Sequence, residues 1–146
     1  MITKNGSMIF ARSIIGGDTL NDSDVIKYDG TACGIAVNSA SLSLDNFELA
    51  IGEGTDAPAI TDYTFAEITN ARMQKSANQR TYSANGNIVL TRSYTNVITS
   101  NVTITEVAVY ISFSGNVIVV AHDRLSEPIV AAPNETVTFS YEIAFN

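Results

Sequence analysis

One histidine, one cysteine, no tryptophan and three prolines leave little of the material from which active sites and cross-linked frameworks are usually made. The lone Cys33 excludes an internal disulfide framework and cannot by itself build a structural zinc site, so it reads as a small buried hydrophobe. Charge is also sparse, at 16% of residues, and its balance is negative: 15 Asp and Glu against 8 Lys and Arg give a net charge of -7. That sign works against phosphate backbones, so no nucleic-acid partner is expected. Nowhere do 18 uninterrupted apolar residues occur, the run a membrane-crossing helix needs. The opening "MITKNGSMIFARSIIGG" has no continuous apolar segment followed by a small-residue cleavage site, which predicts a protein made in the cytoplasm with no membrane partner. Without a secretory signal, the sequons at Asn5, Asn21, Asn101 and Asn134 read as chance matches in an Asn- and Thr-rich chain.

What is present is a packed composition. A hydrophobic share of 45% argues against a disordered chain. A domain of 146 residues buries roughly 70% of the surface its unfolded chain exposes. Alternation with period two dominates. Val137, Phe139, Tyr141, Ile143 and Phe145 share one face of a C-terminal strand, and Thr138, Ser140, Glu142 and Ala144 share the other. "PNE" at 133–135 supplies the turn before it. Ser114, Gly115 and Asn116 form a hairpin tip between apolar runs at 107–113 and 117–121, and "NGN" at 85–87 forms a second one. Val102 and Ile104 lie in one parity and Val107, Val109 and Ile111 in the other, which predicts a β-bulge near Thr105 and Glu106.

Residues 7–15, 32–44 and 47–52 are also strand-like, and the best helical candidate is a short turn over 62–73 that Thr and Asn interrupt. Many short strands with Gly, Asn, Asp and Ser tips predict an all-β fold, an antiparallel, jelly-roll-like β-sandwich of about eight strands. No linker or repeat divides residues 1–146, so one domain is expected, with 1–6 as an N-terminal arm.

Four groups of residues bear on chemistry. His122, Asp123 and Arg124 are consecutive, and consecutive strand residues point to opposite faces, so His122 and Asp123 do not meet; with no G-x-S-x-G elbow, the trio reads as a strand-end histidine beside surface ion pairs. Asp18, Asp22 and Asp24 offer oxygen ligands to calcium, but an EF-hand count from Asp18 meets Ser23 where Gly is required and Asp29 where Glu is, so a solvated turn explains them better. "GEGTDAPAITDY" at 52–63 has two glycines but no dinucleotide or phosphate-loop pattern. Arg72, Lys75, Arg80 and Arg92, near Tyr82 and Tyr94, read as a solvated face or a subunit contact. No catalytic, cofactor-binding or metal-binding residue is assigned on these grounds.

Three segments, "LAIGEGTDAPAITDYTF", "ITEVAVY" and "VVAHDRLSEPIVAAPNETVTFSYEIAF", occur in an order that resembles small virion structural proteins of tailed bacteriophages, over about 100 of the 146 residues. The resemblance implies a β-rich subunit of the head, neck, tail or fibre that works by assembly, with no catalytic residues and no cofactor, located in the virion. It makes the His122–Arg124 trio part of a strand and its exit. The few lysines, Lys4, Lys27 and Lys75, leave strand edges thinly guarded, which agrees with a homo-oligomer whose edges are covered by neighbours and by other virion proteins. A carbohydrate- or receptor-binding sandwich is the alternative, with Tyr63, Tyr82 or Tyr94 stacking on sugar rings.

Overall fold

The computed structural model describes residues 1–3, 26–32, 43–113 and 115–144. The segments 7–15 and 33–42 read as strand-like, together with Cys33 and the Asp18, Asp22 and Asp24 turn, lie outside the described residues. After a 3-10 turn at Leu44–Asn46 come seven strands: β1 (Phe47–Gly52), β2 (Met73–Lys75), β3 (Gln79–Tyr82), β4 (Ile88–Asn96), β5 (Val102–Phe113), β6 (Asn116–Ala131) and β7 (Thr136–Ile143). All their pairings are antiparallel. The fold is all-β and sandwich-like: β1, β5 and β6 form one sheet in that order, and β4 centres the other, with β7 on one side and β2 and β3 end to end on the opposite side. The stretch 62–73 is turned only at its end, where Arg72 N and Met73 N both donate to Thr69 O at 3.0 Å; over 62–68 it runs extended. Glu67 bridges to Gly52, and Ile68 N donates to Ile51 O at 2.9 Å, because Phe65 and Ile68 find buried places only when the chain runs extended over the first sheet.

The predicted turns are where the backbone requires them. Gly86 and Gly115 carry the positive φ of the two hairpin tips, at 80° and 77°, and Asn134 carries it at 66° before β7. The bulge is also there, as a register shift between Ile104 and Glu106, and a second shift falls between Val109 and Tyr110. The parity change lets Ile104 and then Val107, Val109 and Ile111 all face the second sheet, where they meet Leu90, Tyr94, Phe139 and Ile143 in the main core. Asn96 is fully buried where the sheets meet, and every group is used: Nδ2 donates to Ser100 O and Ala131 O, and Oδ1 accepts from Ile98 N.

The first sheet is covered on both faces. Ala50, Ala108, Tyr110 and Val119 on its outer face form a second apolar cluster under Phe65, packed against Tyr28. Tyr28 stands edge-on to Phe65, and its hydroxyl donates to Phe65 O at 2.8 Å. At the start of the stretch read as an arm, Ile2 bridges to Ala121, and Thr3 N donates to Val120 O, along the outer edge of β6.

The basic residues of the middle third divide: Arg72 and Lys75 stand largely in solvent, paired with Glu53 and Glu48, whereas Arg80 and Arg92 close the edge of β1 that no described strand pairs. Asn78 Nδ2 and Arg80 Nε donate to Phe47 O, Leu49 N donates to Asn78 Oδ1, and Arg92 Nη1 and the Tyr94 hydroxyl donate to Leu49 O. Arg92, 8% exposed, also holds Glu48 Oε2 at 3.1 Å, and Tyr110 donates to the same oxygen. Burial works to raise the Glu48 carboxyl, but the hydrogen bonds from Arg92 and Tyr110 and the charges of Arg92 and Lys75 outweigh it and hold Glu48 below its ordinary value of 4.5. Burial raises the Tyr94 and Tyr110 phenols above 10.0, so both stay protonated donors.

Replacing Glu48 with Gln is expected to cost about 1–3 kcal/mol at neutral pH, because Arg92 is left buried without a carboxylate. A carboxyl held low in the folded state stabilises while it is ionised and loses that contribution as the pH falls through its folded value. The gap between wild type and Glu48→Gln therefore closes as the pH drops below 4.5. Urea unfolding of both proteins across the acid range measures it, and a gap that does not change with pH refutes the assignment.

Candidate functional site

His122 lies in the middle of β6, not at a strand end, and is 5% exposed. Its side chain falls on the outer face of the first sheet, opposite Ala108, while Asp123 turns to the other side and accepts a hydrogen bond from the Tyr141 hydroxyl. The two neighbours are thus kept apart, as strand alternation requires. Asp123 makes a surface ion pair with the Met1 ammonium, whereas the Arg124 guanidinium donates to Thr55 O instead.

The partners of His122 come from far along the chain. Glu106, 2% exposed, sits opposite Arg124 on β5 and is therefore the diagonal neighbour of His122 on the same face. Glu106 Oε2 lies 2.8 Å from Nε2, and Asp62 Oδ2, from the loop above, lies 2.8 Å from Nδ1. The small side chains of Ala108 and Ala50 leave room on the sheet for the ring, and Phe65 lies against it with ring centres 5.9 Å apart.

Glu106 is held independently of the histidine. Its Oε1 accepts from Gly54 N at 2.9 Å and Ala66 N at 3.0 Å, which clamps both ends of the loop over 53–66 to the sheet. The two glycines of "GEGT" exist for this carboxylate. A Cβ on Gly54 would lie 2.5 Å from Oε1, and one on Gly52 would lie 2.7 Å from Cγ and 2.8 Å from Ala66 O. Thr105 in the bulge adds a bond from its hydroxyl to Gly54 O.

The chemistry follows from a proton count. An ionised carboxylate only accepts, and a neutral imidazole has one N–H, so two such contacts hold two protons among three groups. Either an imidazolium lies between two carboxylates, or a neutral ring lies between one carboxylate and one carboxyl. Both arrangements carry one net negative charge and use both ring nitrogens. Among the described residues both ring nitrogens meet carboxylates, and the cavity of about 320 Å³ that Gly54, Asp56, Asp62, Thr64, Phe65, Glu106 and His122 border is lined by one hydroxyl, that of Thr64, and by no Ser or Cys. Among the described residues no cluster of His, Cys, Asp and Glu is arranged to hold a metal ion, and no helix is long and apolar enough to cross a membrane.

Asp62 and Glu106 were not singled out from the sequence, although a signal for Glu106 was present: the predicted bulge shifts it onto the face that carries His122. Asp62 had none, since it is joined to His122 only by the path of the loop. Compared with protein-family models, curated proteins and solved structures, the chain matches none.

Gly54→Ala is expected to destabilise the protein by about 1–3 kcal/mol through overpacking against Glu106. In a Glu106→Ala background the same substitution should cost distinctly less, because the atom it strikes is gone. Chemical denaturation of the four proteins in this cycle reads the coupling; additive costs would show that the glycine serves some other purpose.

Proposed function

We propose that this chain is a non-enzymatic structural β-sandwich that works by assembling with copies of itself and with other proteins, as a subunit of a tailed-phage virion. The virion part rests on the three-segment sequence resemblance. The observation that carries the structural role is the use to which the reactive side chains are put. His122 is spent on Asp62 and Glu106, Arg92 on Glu48 and Leu49 O, and Arg80 on Phe47 O, so each braces the fold instead of facing a substrate.

The end of the sandwich at Asn96 supports assembly. There Val97, Ile129 and Val130 are exposed by 47%, 37% and 52%, next to the junction that Asn96 makes with Ala131. Exposed apolar side chains grouped at a junction suit a protein contact better than open water. Pro128, in the same region of β6, has no N–H to offer an added strand.

The tyrosines favour this reading over a carbohydrate-binding one. Tyr94 is buried between the sheets and Tyr110 on the covered outer face of the first sheet, both hydrogen-bonded, and the exposed pair, Tyr63 and Tyr82, stand on separate elements, the loop over the first sheet and the edge strand β3. A stacking platform needs its aromatics together.

Light scattering coupled to size-exclusion chromatography is expected to show concentration-dependent self-association, reduced by Val130→Glu with the fold intact by circular dichroism. A wild-type protein that stays monomeric at high concentration overturns self-assembly, and a positive glycan array would favour the sugar-binding reading.

A further inference from the structure

We infer that Asp62, His122 and Glu106 form a proton-operated latch: while the three groups share two protons, the loop over 53–66 is closed on the first sheet, and the loss of one proton releases it at Asp62. This goes beyond the assembly role and does not depend on it.

The direction of release follows from the two sides of the ring. With one proton gone, the imidazole is neutral, both acids are ionised, and a single N–H remains for two carboxylates. Glu106 cannot leave. It is 2% exposed, fixed on a strand, and its other oxygen is held by the amides of Gly54 and Ala66. An ionised carboxylate buried without its partner is costly, so the remaining proton stays on Nε2, toward Glu106. Nδ1 then presents a lone pair to Asp62 Oδ2, and the contact changes from attraction to repulsion.

Asp62 can move where Glu106 cannot. Its side chain is 23% exposed, and it sits in a surface turn closed on itself, with Ala59 N donating to Asp62 Oδ2 at 2.8 Å and Asp62 N donating to Ala59 O at 3.0 Å. The turn can swing away as a unit with its internal bonds intact. The ends of the loop stay docked through Glu106, through Arg124 on Thr55 O and through Tyr28 on Phe65 O. Among the described residues, the remaining charged groups near the ring are Asp56 on the same cavity, Arg124 two residues along the strand, and the Met1 ammonium, which Asp123 holds and whose own carbonyl accepts from His122 N; the β1 positions nearest the ring, Ala50 and Gly52, carry no charge. Opening would expose the cavity of about 320 Å³ and the Phe65 ring that forms its wall.

Because His122 is the single histidine, its ring is resolved without ambiguity by nitrogen-15 NMR. On raising the pH, the ring should pass from a form protonated at both nitrogens, or shared with a carboxyl, to a neutral form with the proton on Nε2. Over the same pH interval, contacts between the ring protons and the Asp62 Cβ protons should be lost while those to the Glu106 Cγ protons persist. Asp62→Asn supplies the control: a carboxamide can donate to a bare Nδ1, so its ring contact should survive the titration. A neutral ring protonated on Nδ1, Asp62 contacts that persist through the wild-type titration, or loss of the ring contact in Asp62→Asn together with wild type would each overturn the latch.

Discussion

The change of side-chain parity at Thr105 governs which residues meet on each face of the first sheet. A strict alternation through β5 would carry Val107, Val109 and Ile111 away from the core that Val102 and Ile104 have entered. The irregularity there, in which Thr105 of β5 lies opposite residues 125–128 of β6, puts both sets on the inner face and turns Glu106, Ala108 and Tyr110 outward together. Everything distinctive about the outer face depends on that irregularity. Glu106 arrives beside His122, and the chain after β1 must fold back with two glycines to surround a carboxylate buried in an otherwise apolar layer. A bulge that adjusts packing on one side of a sheet thus creates a polar cluster on the other.

The second organising constraint is the free edge of β1. An edge strand exposes unpaired N–H and C=O groups and invites pairing with another chain. Here side chains from β3, β4 and the segment between β2 and β3 occupy Phe47 O, Leu49 N and Leu49 O, so the edge is closed from within. Arginine suits this work because its planar fork reaches a backbone carbonyl and a carboxylate at once, as Arg92 does with Leu49 O and Glu48. The scarcity of lysine is accordingly not evidence of an open edge at β1. Protection comes from Arg80 and the buried Arg92, which also join the two sheets.

The strand pattern was legible in the sequence because it depends on neighbours along the chain. Period two marked β4 through β7, glycine and asparagine marked the tips at Gly86, Gly115 and Asn134, and the break in parity marked the bulge. The trio around His122 was separated correctly for the same reason, since opposite faces follow from adjacency. What was not legible depends on long-range closure. Asp62 is 60 positions from His122 along the chain, and Arg92 is 44 from Glu48. Composition alone suggests that charged residues face water, and here the opposite holds for Arg92, Glu106 and His122, because each has a partner that the fold delivers. Segment 62–73 turns only over Thr69–Met73; before that it has no β-like alternation of its own and runs extended because Phe65 and Ile68 bury themselves on a sheet already formed.

The two sheets therefore offer very different surfaces to a partner. The first is enclosed, with the second sheet on its inner face and the clamped loop on its outer one. The second keeps its outer face in water, where the residues of β4 and β7 pair across the strands: Thr95 with Thr136, Ser93 with Thr138, Thr91 with Ser140, and Asn87 with Glu142. These hydroxyls already satisfy one another, and Glu142 is the one charged residue among the β4–β7 pairs on this face. A partner approaching that face would find a flat, polar, self-satisfied surface with little apolar area to bury and little charge to steer it, whereas the end near Val97 and Val130 offers both exposed hydrocarbon and nearby acidic groups in Glu127 and Glu135. Since association rests on apolar area removed from water, the end of the sandwich and not its open sheet is the surface on which an assembly contact would form.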